Sequence, residues 1–148
     1  VDDYFEMRPN EQSAYMLLVA PIREDKRKKL NGAENSLTGI AKLKSRRSVV
    51  PAITHVDYSA RVQTVDAERH GRYYKLLKSF EKQTGSPVII NTSFNVRGEP
   101  IVCTPEDAYR CFQRTEMDYL VLGPFLLDKR AQPALEEKGD WRQEFQLD

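Results

Sequence analysis

Apolar positions along this chain come in short bursts, and each burst is closed by turn-forming residues. Tyr15 to Ile22 (YMLLVAPI) is apolar almost throughout. It predicts a strand buried on both faces, in the middle of a sheet. In Ile53 to Val65 (ITHVDYSARVQTV) the alternation around Arg61, Val62, Gln63, Thr64 and Val65 predicts a second strand. Tyr73, Leu76, Leu77 and Phe80 then recur at i, i+3, i+4 and i+7, one apolar stripe of a helix. Gly85 suits the left-handed residue that ends such a helix, and Pro87 forbids its continuation. Val88 to Ile90 reads as a short buried strand.

The run "TPED" (Thr104 to Asp107) marks another helix start. Thr104 caps, Pro105 fits the first turn, and Glu106 and Asp107 face the positive end of the helix dipole. Ala108, Cys111, Phe112 and Thr115 carry its apolar face. Tyr119 to Leu122 and Phe125 to Leu127 are two strands divided by the turn Gly123-Pro124. The charged tail from Lys129 to Asp148 has weak patterning, with one helix expected near Trp141. Together these elements predict one α/β domain over residues 1–148, a single twisted mixed sheet with covering helices.

Arg23 to Pro51 departs from this pattern. Nine basic against three acidic residues give it a local charge of +6, and Gly32, Asn35, Ser36 and Gly39 interrupt it. It reads as a long mobile connection with one short helical turn. The whole chain of 148 residues is only +1, so total charge offers no general case for nucleic acid or a membrane. No apolar run nears the roughly 20 residues that span a bilayer. The acidic start Val1-Asp2-Asp3 is not a secretory signal, and a chain without an initiator Met reads as a fragment. Cys103 and Cys111, eight apart, spell neither a disulfide framework nor a metal knuckle, which suits a reducing cytoplasm.

Candidate chemistry gathers in "NTSFNVRGEP", Asn91 to Pro100. Asn91, Thr92, Ser93 and Asn95 supply neutral donors, Arg97 a cation, and Gly98 the freedom for positive φ. Two readings stand. The stretch is a cradle for phosphate or carboxylate, or a loop whose Asn and Ser groups satisfy its own backbone. In "THVDYSARVQT", an extended chain puts His55 and Asp57 on one face, and Arg61 and Gln63 on one face. His55 beside Asp57 is a candidate oriented base, or a hydrogen-bonded pair that stiffens a loop. Arg61 amid valines needs an anion or a path to water. Lys42, Lys44, Arg46 and Arg47 form either a solvated face or a flap over phosphates. Glu99 is a magnesium ligand or a partner of Arg97, and no transition-metal site is expected.

"PAITHVDYSARVQTV" and "GSPVIINTSFNVRGEPIVCTPEDAYRCF" resemble the C-terminal region of the O-carbamoyltransferases of the nodulation and cephamycin type. The likeness runs from about Tyr15 to Lys129. It implies a YrdC-like domain with a basic concave face, belonging to a polypeptide several times longer. It implies that carbamoyl phosphate and ATP give carbamoyl adenylate there, with magnesium left open. An N-terminal domain with its own histidine-held metal then passes the carbamoyl group to an acceptor hydroxyl. Ser93-Phe94-Asn95 ahead of Gly98-Glu99-Pro100 resembles the Ser-x-Asn motif of YrdC proteins, which implies phosphate or nucleotide contacts at Ser93 and Asn95. Arg61 is the implied cation for carbamoyl phosphate, with Arg97 on the same surface. YrdC proteins carry a Lys-x-Arg pair before an early strand. Lys44-Ser45-Arg46 has that spacing but follows the strand, so the second cationic wall is undefined. Two other classes remain: an RNA- or nucleotide-binding module without catalysis, and a fragment that only packs on a partner chain.

Overall fold

The computed structural model describes residues 1–96, 98–136 and 139–141. They fall into two compact units, Val1–Ile90 and Asn91–Asp148. Each unit is a small mixed arrangement of helix and antiparallel ladder. Where one twisted mixed sheet was expected, the described residues form two separate two-stranded ladders.

In the first unit, strand β1 (Leu18–Pro21) pairs antiparallel with β2 (Ser59–Val62), matching Val19 to Arg61 and Ala20 to Ala60. A bridge between Phe5 and Ile22 extends the edge. Because strand side chains alternate, Ala20, Ala60 and Val62 turn inward and join Phe5 and Ile22 in a buried cluster, flanked by Tyr4, Met7, Val50, Ile53 and Val88. The buried Ser13 hydroxyl donates to the Val62 carbonyl at 2.6 Å and so ties the loop before β1 onto β2.

The strand expected over residues 15–22 shrinks to four residues and is not buried on both faces. Tyr15 and Leu17 are 81% and 78% exposed. A strand with one neighbour and one packed face has nothing to cover its other side. Likewise β2 occupies only four of the thirteen residues expected, since the chain turns at Tyr58, where φ is 63°. Val88 packs on the core, but 88–90 join no ladder and Ile90 is exposed.

The basic stretch is more built than a bare connection. Asn31 and Glu34 form a capping box on the short helix α1 (Gly32–Asn35), and α2 (Gly39–Leu43) follows. An antiparallel bridge joins Arg27 to Ser48. Next comes α3 (Ala67–Thr84), capped by Asp66 and closed by Gly85 at φ 75°. The predicted stop is therefore correct. The stripe on α3 does not reach the core, however: Tyr73, Leu76 and Phe80 are 37%, 57% and 38% exposed.

The second unit is built around α4 (Pro105–Arg114) and the hairpin of β3 (Tyr119–Leu122) and β4 (Phe125–Asp128). Thr104 caps α4 in a capping box with Asp107, as "TPED" predicts. Ala108, Cys111 and Phe112 are buried, and Ala108, Phe112 and Leu120 form the core. Apolar side chains at the hairpin tip are open: Phe125 and Leu126 are 67% and 69% exposed and border a groove with Tyr109 and Leu122. Residues 142–148, where most of the expected helix near Trp141 falls, lie outside the described residues. No helix among the described residues is long and apolar enough to cross a membrane.

Asp107, Asp66 and Asp128 all lie below the usual carboxylate range. Hydrogen bonds from the Thr104 hydroxyl, the Arg69 amide and the Arg130 guanidinium, respectively, hold them there. A carboxylate depressed in the folded state stabilises fully above its unfolded value of about 3.9, and that contribution vanishes as pH falls through the lower folded value. The thermal midpoint should thus be flat from neutral pH down to about pH 4 for these groups and drop below it. In Asp107→Asn that acid drop should be shallower, as read from melting curves between pH 2 and 7.

Candidate functional site

Arg61 projects from β2 on the face opposite the core, because its neighbours Ala60 and Val62 take the buried positions. Its Nε and Nη2 both donate to the Met16 carbonyl, at 3.3 and 3.0 Å. Met16 sits at φ 55°, a left-handed backbone uncommon for a residue with a side chain. Gln63 leans the same way and donates to the Ala14 carbonyl at 2.8 Å. The expectation that Arg61 and Gln63 share a face therefore holds. Two carbonyls of the 14–16 segment anchor them, and Arg61 makes no ion pair among the described residues. A cation that is exposed, held by a neutral acceptor and lacking a carboxylate is free to take an anion.

His55 and Asp57 are not on a strand, which begins only at Ser59. Ser59 joins them instead. Asp57 Oδ1 accepts from the Ser59 amide at 3.0 Å and from its hydroxyl at 2.7 Å, an Asx turn. The hydroxyl bond, followed by the amide bond, holds the Asp57 carboxyl below its usual range. His55 Nδ1 lies 2.8 Å from Ser59 Oγ. The serine proton is directed to the carboxylate, so the contact is completed by a proton on Nδ1. In the neutral ring this tautomer leaves Nε2 as the acceptor, on an exposed side chain. The order is carboxylate, hydroxyl, imidazole, and the expected direct His–Asp pair is replaced by one relayed through serine. The signal for Ser59 was its position two residues after an aspartate.

Lys44 and Arg46 are both exposed. Lys44 ends α2, its amide bonded to the Ala41 carbonyl.

In the second unit, the polar loop largely satisfies itself. Asn95 Nδ2 donates to the carbonyls of Val96 and Glu99 at 3.1 and 2.8 Å, and the Glu99 carboxylate accepts from the Val96 amide at 3.3 Å. Thr92 donates to the Ser93 carbonyl at 3.0 Å. Gly98 takes φ 86°, the positive value anticipated for it. Arg97 lies outside the described residues. Glu99 is paired with Arg114, at 3.8 Å, with side chains 12% and 6% exposed. Nothing in the sequence distinguished Arg114 from an ordinary cation at a helix C-terminus. Asn91, Thr92 and Ser93 line the exposed edge of this loop. Cys111 is buried, which raises its thiol above the ordinary value, with the Glu99 charge adding to the effect. A thiol so placed is a packing group.

The family model described as carbamoyltransferase C-terminus matches residues 1–129. That interval contains every candidate residue above and ends where the weakly patterned tail begins. An uncharacterised protein of Synechocystis is 60% identical across 100% of this chain, which spans 24% of that relative. The nodulation protein NolNO of Sinorhizobium fredii is 36% identical over 87% of the chain and 16% of its own length. The 3'-hydroxymethylcephem-O-carbamoyltransferase of Streptomyces clavuligerus is 37% identical over 51% of the chain and 15% of its own length. The chain thus spans less than a quarter of the length of each of these relatives.

Three outcomes follow from this geometry. Asn95→Ala should lower stability by about 1–2 kcal/mol in denaturant titration, because two carbonyls lose their donor. Ser93→Ala, at an exposed position, should change stability by less than about 0.5 kcal/mol. In nitrogen-15 spectra of the neutral ring, the His55 proton should reside on Nδ1, and Ser59→Ala should release that preference. A dominant Nε2–H form in the unmodified protein would refute the assigned relay.

Proposed function

The chain belongs to the carbamoyltransferase C-terminus family, and we propose that it is the carbamoyl phosphate- and ATP-binding part of an O-carbamoyltransferase. In this reading carbamoyl phosphate, ATP and water give carbamoyl adenylate, pyrophosphate and inorganic phosphate. The acceptor hydroxyl then attacks the carbamoyl carbon, AMP leaves with the bonding pair, and the proton passes to a base. That second step belongs to an N-terminal domain outside this chain, as does its metal. A relative named for cephem O-carbamoyl transfer supports the class of reaction.

The observation that carries the reading is Arg61, an exposed guanidinium fixed by the Met16 carbonyl and without an acidic partner among the described residues. Chemistry on two phosphorylated substrates needs positioning and charge neutralisation more than an activated nucleophile. Arg61 supplies the cation for carbamoyl phosphate, and Asn91, Thr92 and Ser93 supply neutral donors for phosphate or nucleotide. Asn95 and Gly98 shape the loop that presents them. Lys44 and Arg46 of the first unit, and Arg97 of the second, are further candidate anion contacts, each within its own unit. Magnesium would enter with ATP; Glu99, committed to Arg114 and Val96, is a poor ligand for it. His55 Nε2 is the available proton acceptor.

The apolar surfaces left open on α3, β1 and the β3–β4 hairpin fit the same picture. They are the faces that the remaining polypeptide, the N-terminal acceptor domain, would cover. A reducing cytoplasmic setting remains part of the reading.

Calorimetry on the full-length protein tests it, with carbamoyl phosphate and a non-hydrolysable ATP analogue. Arg61→Ala should weaken carbamoyl phosphate binding on the order of tenfold or more, the loss of one or two charge-assisted hydrogen bonds. Equal heats for both proteins, or none for either, would count against the reading.

A further inference from the structure

Three residues of the basic stretch, Ser45, Arg47 and Ser48, face inward, and neither cation of the Lys-x-Arg spacing is among them. Arg47 is 1% exposed and Ser45 is 9% exposed, while Lys44 and Arg46 stay in solvent. Among the described residues, Nε and Nη2 of Arg47 have no hydrogen-bond partner, and neither has the Ser45 hydroxyl. A guanidinium withdrawn from water without a counter-charge is strongly unfavourable. Buried arginines are ordinarily paired, as Arg114 is with Glu99 in the other unit.

The main chain around Arg47 is already committed. Its carbonyl accepts from the Lys28 amide at 2.6 Å, and the Val49 amide donates to the Lys26 carbonyl at 3.0 Å. The next residue, Ser48, is fully buried and its hydroxyl is bonded to Thr54. This ladder holds the Arg47 side chain in place without using its fork. Nε–H and one Nη2–H lie parallel on one edge of the planar group, at the spacing of two oxygens of a phosphate or carboxylate. A water molecule could take a hydrogen bond there but would leave the charge uncompensated.

We propose that Arg47, with Ser45, is a buried oxyanion receptor in the first unit. The fork takes two oxygens of a phosphate or carboxylate group, and the serine hydroxyl supplies a further donor. The site does not depend on Arg61 or on the carbamoyl reading, because any small oxyanion probes it. Burial also sets its dynamics. An anion reaches the fork only when residues 45–48 lift from the Lys26–Lys28 segment, so binding and closure of that ladder are coupled.

The test is titration of inorganic phosphate against chloride at fixed ionic strength, on the full-length protein. Phosphate should raise the melting midpoint and slow hydrogen exchange at the Lys28 and Val49 amides. Arg47→Met should abolish the slowed exchange at the Lys28 and Val49 amides. Arg47→Lys retains the charge and guards against a variant that simply fails to fold; it should bind phosphate on the order of tenfold more weakly, since the fork is lost. Arg61→Ala should keep the slowed exchange at those two amides. The proposal is overturned if the unmodified protein is indifferent to phosphate, if the Arg47 variants respond as it does, or if Arg61→Ala alone removes the response.

Discussion

The antiparallel pairing of Leu18–Pro21 with Ser59–Val62 is the constraint on which the first unit turns. Side chains on a strand alternate between faces, so one register decision assigns every residue of both strands at once. It sends Ala20, Ala60 and Val62 into the core with Phe5 and Ile22. The same decision leaves Arg61 and Val19 on the open face. Arg61 is thus exposed because its neighbours are small or branched and apolar. The burial that stabilises the unit is what presents its cation.

Some polar groups hold backbone, and others stand exposed at a rim. Asn95, Glu99, Asp57 and Ser59 belong to the first kind, since their hydrogen bonds close turns. An amide committed to two carbonyls gains little by turning to a phosphate, because the carbonyls it leaves would need new donors. Thus the self-satisfying reading of "NTSFNVRGEP" holds at Asn95 and Glu99, whose groups close the loop. Asn95 serves the loop, while Ser93 stands at its rim. The same logic makes Arg47 conspicuous: it is buried like a structural residue, but its Nε and Nη2 have no hydrogen-bond partner among the described residues.

Much apolar surface stays open: the stripe of α3, the outer side of β1 and the hairpin tip at Phe125 and Leu126. Two-stranded ladders are marginal by themselves and gain from a further strand or a covering helix. The Synechocystis relative and NolNO are each more than four times the length of this chain.

Local signals were readable from the sequence wherever the physics is local. Thr104-Pro105-Glu106-Asp107 starts a helix because side-chain oxygens cap free amides; Gly85 ends one because it adopts left-handed φ without strain. Gly123-Pro124 makes a hairpin for similar reasons. The long motifs around Arg61 and Ser93 also carried the family. Tertiary structure decided what depends on distant residues. Which of Ser45, Arg46 and Arg47 points inward follows from pairing with Lys26–Lys28, and a shift of one residue would reverse it. The two halves of "YMLLVAPI" look alike in sequence, yet only Leu18–Pro21 finds a partner strand. Burial and pairing are properties of two segments together, and no single segment encodes them.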